Sequence, residues 1–416
     1  EAFFGMVSGD PFTDFARFLF LASGIVIMAL SVPYLEREGL YNEEFFALLL
    51  FVVMSMNLIV SSRDLLLTFI GIEILSIASY IMAAYRLKSG VSVEAGLKYF
   101  ILGAFSSAFL LYGIALLYGV SGSTRYIAVA ETVAEQGVSP LLLAGLALLG
   151  VGLAFKATFV PFHVWSPDVY EGAPMPVTAF LAVASKAAAV LVLVRILYEC
   201  FPDLASWQNI GWGAAILTML YGNIAALTQK NIKRLLAYSS IAHAGYLLVG
   251  VISGKQAGIR GVLFYLVAYA VMNLGAFAII QLFAGKGETS LQISDYSGFG
   301  YRYPFLAACL SVFLFSLAGI PLTIGFAGKF FLFAAAVEQE MYFLVVIGLI
   351  ASAIGIYYYL KIVVTMYMRE SDSDAGEDIV SPLAVRVVIA ILTAAAMVFG
   401  ILPGSLLRFA GEAILF

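Results

Sequence analysis

Charge is scarce in this chain: 12% of its 416 residues are Asp, Glu, Lys or Arg, whereas 62% are hydrophobic. With a mean hydropathy of +1.01, that balance excludes a soluble globular domain and reads as an all-α polytopic membrane protein. The net charge of -4 is scattered over loops. No basic run or aromatic–basic interleaving occurs, so nucleic acid is not an expected partner, whereas membrane lipid is. Cysteine is nearly absent. Cys200 and Cys309 stand far apart without CxxC spacing, which gives no disulfide framework, iron–sulfur site or zinc site and leaves small apolar packing roles. Two histidines without a local carboxylate or cysteine set are a poor basis for a metal. Gly150-Val151-Gly152 lacks the third glycine, preceding strand and later acidic residue of a dinucleotide site, and its glycines read as close helix packing. No residue set here is suited to a redox cofactor. The chain opens on Glu1, and residues 1–12 have no basic stretch followed by a short apolar core. The expectation is therefore a true start upstream and no signal peptide.

Apolar sequence is what the chain has in abundance. Runs of about 17 to 25 residues can each cross a bilayer, and twelve are expected: 15–35, 43–61, 64–85, 95–119, 140–171, 175–199, 207–228, 231–253, 258–284, 303–337, 341–368 and 382–408. The longer connections are 121–139, 285–303 and the acidic stretch 369–378. Lys and Arg in the short loops set orientation. One side collects Arg37, Arg86, Lys88, Lys230, Lys233, Arg234, Lys286, Arg302 and Arg369, and the other Arg17, Arg63, Arg125, Lys255, Arg260 and Arg408. The first, larger set is expected to be cytoplasmic.

Two of these runs are interrupted. The fifth carries Lys156 after fifteen uncharged residues and then Pro161, His163 and Pro167; the tenth carries Pro321 and Lys329. In hydrocarbon a broken helix is tolerated only against protein or a water-filled cavity, and an ionisable residue at that depth is a functional-site hypothesis. The fifth and tenth spans fall at the same place in two units of five helices. An odd count inverts the second unit, the pattern of inverted repeats with discontinuous helices at an ion site. The expected organisation is a first span (1–42), one repeat (43–200), a second repeat (207–369) and a last span (381–416).

Four charges lie well inside apolar runs. Glu73 follows Asp64 by about nine residues, near mid-depth at about 1.5 Å rise per residue. Lys156 and Lys329 mark the breaks, and Lys186 lies in the middle of the sixth span. Lysine suits proton transfer here because burial disfavours its charged form while a nearby carboxylate favours it. Glu73 and Lys156 are therefore the expected switching pair. His243, close to Tyr238, Ser239 and Ser240, fits a relay between Lys186 and Lys329 or a packed helix histidine. His163 fits an entrance relay or local hydrogen bonding. Tyr238 and Lys361 are further candidates for the path, Lys361 toward an exit. Lys98, Arg195 and Arg386 lie near span ends and are expected to snorkel, and Asp168 and Glu171 to brace a loop.

At these residues the chain resembles the antiporter-like subunits of the proton-pumping NADH:quinone oxidoreductases, respiratory complex I. The stretches that carry the resemblance are Phe155 to Pro174 (FKATFVPFHVWSPDVYEGAP), Asn231 to Tyr246, Ser316 to Phe330 and Ile354 to Leu360. The WSPDVYEGAP run and a lysine at the second break look like the N branch of that family rather than its M or L branches. The resemblance implies fourteen helices, two of them N-terminal to this chain. It implies Glu73 and Lys156 as a first switching pair, Lys186 as central relay, His243 in the axis and Lys329 at the exit half-channel. It further implies a bacterial inner membrane, neighbouring membrane-arm subunits as partners, and remote quinone reduction as the driving step, with NADH, FMN, iron–sulfur clusters and quinone in other subunits and no cofactor in this one. A subunit of a multi-subunit cation/proton antiporter and a non-conducting scaffold are the competing readings.

Overall fold

The computed structural model describes residues 3–201, 205–370 and 381–414. Most of the acidic connection, and the side chain of Lys255, lie outside the described residues. The first three helices begin where a small polar side chain takes the first turn. Asp10 accepts from the Thr13 amide ahead of Pro11 at the start of α1 (Pro11–Glu38), Asn42 caps α2 (Glu43–Ser61) and Asp64 caps α3 (Leu65–Ala83). α4 (Gly90–Ser121) follows. The connection after it carries a helix that its sequence did not announce, α5 (Tyr126–Gln136), too short to cross a bilayer.

The fifth span is broken, as expected. α6 (Pro140–Ala157) ends at Thr158 in the left-handed conformation (φ 64°), and Pro161 cannot continue a helix. α7 (Trp165–Gly172) resumes beyond the break. α8 (Met175–Phe180) and α9 (Lys186–Cys200) form one rod joined by a π-helical turn, Leu181–Ser185. α10 (Ala205–Leu227), α11 (Ile232–Ser253) and α12 (Lys255–Ala284) complete the next hydrophobic set. The short α13 (Phe299–Arg302) precedes α14 (Pro304–Ala318), whose end at Gly319 (φ 85°) is the second break. α15 (Ile324–Glu338) and α16 (Tyr342–Met368) follow it. α17 (Leu383–Ile401) stops short of the span expected to reach 408, because Pro403 intervenes, and α18 (Gly404–Glu412) is separate. Among the described residues eleven helices, α8 and α9 counted as one, are long and apolar enough to cross a membrane, and α14 is a shorter apolar one. The chain is an all-α, multi-pass membrane protein.

Three rods, Met175–Cys200, Ile232–Ser253 and Gln256–Ala284, are almost wholly buried, whereas α4, α10 and α17 turn much of their surface outward. A helix apolar on every side belongs either in a core or in lipid, and here the chain supplies both. The buried rods come from either side of the midpoint, so the charged spans of the two sequence halves meet at the centre. Two glycines show how tightly. A Cβ on Gly152 would stand 2.6 Å from the Leu110 Cβ, whereas one on Gly150 would meet nothing within 4 Å; the close-packing role belongs to Gly152 alone. At the second break a Cβ on Gly325 would lie 1.9 Å from the Ser316 carbonyl oxygen. Gly325→Ala must push α14 from α15 and is expected to cost about 3 kcal/mol. The check is thermal unfolding of the purified complex beside wild type.

Both ends of the bundle carry ion clusters that the sequence treated as loops or surface. Arg195 does not snorkel. It is fully buried, donating to both Asp10 carboxylate oxygens at 3.0 and 2.9 Å and to Glu199 at 2.8 Å. Its partner Asp10 is 185 residues away in sequence, out of sight of any local pattern. Burial alone would raise the Asp10 carboxyl, but the Arg195 guanidinium and the Thr13 hydrogen bonds hold it well below the usual carboxylate range. Arg63 joins this cluster at Asp10 and Glu199. At the opposite end Arg37, Arg86 and Lys233 gather on Glu38 and Glu288, so residues assigned to one side by the loop charges do share an end.

Candidate functional site

At the first break, α6's last turn carries Lys156 inward. Its ammonium is buried, without a hydrogen-bond partner, and stands 5.3, 5.1 and 5.9 Å from the ring centroids of Tyr80, Tyr99 and Phe155. Tyr99 stacks on Trp165 at 4.3 Å, and the Trp165 indole N–H donates to the Phe155 carbonyl at 2.9 Å, which ties the far side of the break to α6. Such ring faces attract a cation without fixing it in one direction. Glu73 is not in ion-pair contact with Lys156. Its carboxylate accepts from the Ser107 hydroxyl of α4 and remains within electrostatic reach of the lysine. The expected pair is therefore apart in this structure, because α4 offers the carboxylate another donor. His163 is buried beside the Tyr221 ring at 4.6 Å, with its Nδ1 unpartnered.

Lys186 begins α9 directly after the π turn, a distortion common at functional positions, and donates to the Ser240 carbonyl and hydroxyl. The Ser240 hydroxyl also lies 3.4 Å from that of Tyr170. Lys186 stands 5.7 Å from the Tyr269 ring centroid, and that ring is 5.2 Å from His243. His243 bonds Tyr265 through Nδ1 (2.5 Å) and Tyr359 through Nε2 (3.1 Å), and Tyr359 in turn bonds Ser239. His243 also faces Tyr246 at 5.6 Å, whose ring carries the Lys329 ammonium at 4.9 Å.

Lys329 differs in kind from Lys156. Its ammonium donates to the Leu317 and Ala318 carbonyls, both at 3.0 Å, and to the Ser352 hydroxyl at 2.9 Å. Those carbonyls are orphans of the last turn of α14; a cation there is favoured by the helix dipole as well. All three N–H donors of an ammonium are used.

Lys186, His243 and Lys329 thus adjoin one another through the Tyr269 and Tyr246 rings, and Lys156 approaches them through Tyr99, Trp165 (6.2 Å from the Tyr170 ring) and Tyr170, in one row. The sequence marks Ser240 only as a neighbour of His243 and misses the other residues along the row: Tyr99, Tyr170, Tyr269, Tyr359, Tyr246 and Ser352. Hydroxyl residues sit in apolar helices without breaking the pattern, and only the recurring tyrosines of Tyr265/Tyr269 and Tyr357 to Tyr359 could have signalled them. Tyr238 faces Tyr221 (6.3 Å between ring centroids) rather than the row, where the neighbouring Ser239 and Ser240 make the contacts. Lys361 is half-buried on α16, and among the described residues its ammonium has no hydrogen bond or ion pair to the row. Asp168 does brace, accepting from Lys98 at 2.8 Å and Arg234 at 2.7 Å, while Glu171 takes Arg234 at 2.9 Å. Lys98 is thus half-exposed but held, not a free surface lysine.

Two discontinuous helices facing a membrane-embedded row of amines, an imidazole and hydroxyls define a polytopic protein of the ion-translocating class. Residues 62–355 match the family described as NADH:quinone oxidoreductase/Mrp antiporter, TM. NADH-quinone oxidoreductase subunit N of Trichlorobacter lovleyi is 44% identical over 409 residues, covering 97% of this chain and 84% of its own. Subunit N 1 of Solibacter usitatus is 45% identical over 413 residues, covering 98% and 85%. Respiratory complex I from Thermus thermophilus contains a chain of the same fold, with a TM-score of 0.84 and 34% identity over 99% of this chain and 88% of that one. The Mrp complex from Dietzia sp. has a chain with a TM-score of 0.86 at 22% identity, covering 98% and 83%, which shows the fold alone. The chain belongs to the NADH:quinone oxidoreductase/Mrp antiporter membrane family.

Proposed function

We propose that this chain is subunit N of a bacterial NADH:quinone oxidoreductase, a non-redox, proton-translocating part of that enzyme's membrane arm. The observation that carries the reading is the row itself: three buried lysines and one histidine, interleaved with tyrosine rings and serine hydroxyls, across the seam of the two sequence halves. Its identity to subunit N relatives favours this over a cation antiporter or an inert scaffold. We place the redox groups of that enzyme in other subunits. Its partners are then the other membrane-arm subunits.

The proposed path uses residues 43–200 and 207–369 as two half-channels. Near the first break the buried, unpartnered atoms of Lys156, Tyr80, Tyr99, Thr158, Ser166 and His163 are what a few waters would satisfy, and we assign His163 to the entrance. A proton taken by Lys156 passes by way of Tyr99, Tyr170 and Ser240 to Lys186. His243, with Tyr359 and Tyr265 on its two nitrogens, can accept on one side and release on the other, and Lys329 receives the proton at the second break. We assign Lys361, on α16 with the Ser352 partner of Lys329, to the exit side of the path. The driving change is the approach and withdrawal of Glu73 at Lys156, imposed from outside the chain by quinone reduction. Glu73→Gln in the assembled complex is expected to slow turnover about tenfold, since loss of a charge-assisted contact is worth about 1.5–3 kcal/mol. Asp168→Asn, in a bracing ion cluster, is expected to cost under about twofold. Proton pumping in proteoliposomes compares the two, and equal rates at matched assembly would overturn the pairing.

A further inference from the structure

Among the described residues the Ser107 hydroxyl is the only donor placed on the Glu73 carboxylate. From this and the geometry around it we infer that Ser107 is a positioning residue that competes with Lys156 for Glu73 and holds the carboxylate in the withdrawn half of its cycle. This rests on the reading of Glu73 and Lys156 as a switching pair.

The placement follows from helix periodicity. Glu73 and Tyr80 are two turns apart on α3, and Gly103 and Ser107 one turn apart on α4, so each pair lies on a single helix face. The two faces meet. A Cβ on Gly103 would lie 2.0 Å from the Tyr80 hydroxyl, so Tyr80 packs against bare backbone while Glu73 meets the next residue along that face, Ser107. The Lys156 ammonium lies over this same Tyr80 ring, 5.3 Å from the centroid, and within electrostatic reach of Glu73. The Ser107 hydroxyl gives the carboxylate a stable resting place away from the amine.

Ser106, the adjacent serine, faces the Gly152 carbonyl at 3.5 Å on the other side of α4; it cannot substitute. A carboxylate denied Ser107 is left with the buried Lys156 ammonium within its electrostatic reach. The pair would then close and stay closed, keeping the lysine charged and unable to pass its proton on.

The test uses the whole complex in proteoliposomes, with proton pumping read against electron transfer at matched assembly. Ser107→Ala is expected to slow pumping about tenfold, in line with loss of a hydrogen bond to a charged group. Ser107→Thr, which keeps the hydroxyl, should restore it to within about twofold, and the infrared carboxyl band of Glu73 should shift in the alanine variant and return in the threonine one. In a Glu73→Gln background Ser107→Ala should add nothing. Pumping at the wild-type rate in Ser107→Ala, or effects of the two substitutions that multiply, would overturn the inference while leaving Glu73 in its role. A Glu73→Gln variant that pumps normally would remove the underlying reading itself. If Ser107→Ala does not assemble, Ser107→Cys, a weaker donor, must show an intermediate slowing or the inference falls.

Discussion

Lys186→Ala in the assembled complex is expected to lower both proton pumping and NADH-linked quinone reduction by about a hundredfold, the scale of losing a positioned proton-transfer group. Lys186 stands at the seam of the two halves. Its ammonium contacts α11 at Ser240 from a rod that belongs to the first half, and no other amine bridges the row there among the described residues. Lys156→Ala and Lys329→Ala remove an end of the row and should be nearly as severe. Alanine alone does not separate proton transfer from electrostatic support, but arginine does. Arg keeps the charge and donors of lysine yet cannot release its proton. Lys186→Arg is therefore expected to be as inactive as the alanine variant if the lysine carries protons, and largely active if it serves as a fixed cation holding α11. Pumping that survives all three alanine substitutions would return the chain to a scaffold role.

What the sequence disclosed about this row, and what it hid, has a physical basis. A charge in an apolar run contrasts with its surroundings, so Glu73, Lys156, Lys186 and Lys329 were visible without a structure. The breaks at Pro161 and Pro321 were visible for the same reason, since proline has no place in a continuous membrane helix. Helix content and nearly all span limits followed from apolar run length. Hidden features were those that depend on a distant partner. Arg195 looks like a snorkelling residue four positions from the end of the 175–199 span until Asp10 folds over it. Lys233 looks like a loop cation until Glu288, 55 residues on, pairs with it inside the protein. The withdrawal of Glu73 from Lys156 depends on Ser107, one serine among many in membrane helices. The π turn before Lys186 lacks any sequence signal, because a single wide turn barely alters the apolar pattern.

Glu288 is the position where loss of one side chain should cost the fold most. Its carboxylate accepts from the Tyr34 hydroxyl at 2.6 Å, the Met175 amide at 2.8 Å and the Lys233 ammonium at 2.8 Å, with Arg86 at 3.5 Å. Lys233 in turn donates to the Ala173 carbonyl at 2.6 Å. One carboxylate thereby fixes α1, the α3–α4 connection, α11 and the start of the rod that carries Lys186. The backbone accepts strain to put it there, since Glu288 is left-handed (φ 53°) directly after Gly287, a conformation that costs a residue with a Cβ about 1–2 kcal/mol. Burial alone would raise the Glu288 carboxyl, but Lys233, Tyr34 and Arg86 outweigh it and hold it below its ordinary value of 4.5. A carboxyl lowered in the folded state contributes stability that is fully present above its unfolded value and is lost as pH falls through the folded one. Its share of the stability is therefore flat at neutral pH and declines only below about pH 4.5. Glu288→Ala takes from the buried Lys233 the carboxylate that balances its charge, leaving it the Ala173 carbonyl alone, and is expected to cost about 3–5 kcal/mol. Glu288→Gly lacks the same carboxylate but relieves the left-handed strain, so it should recover about 1 kcal/mol of that loss. Thermal unfolding of the purified complex, with subunit content checked in membranes, orders the three. An alanine variant as stable as wild type would show that the cluster closes without Glu288, and a glycine variant no better than alanine would show that the backbone at this turn carries no strain.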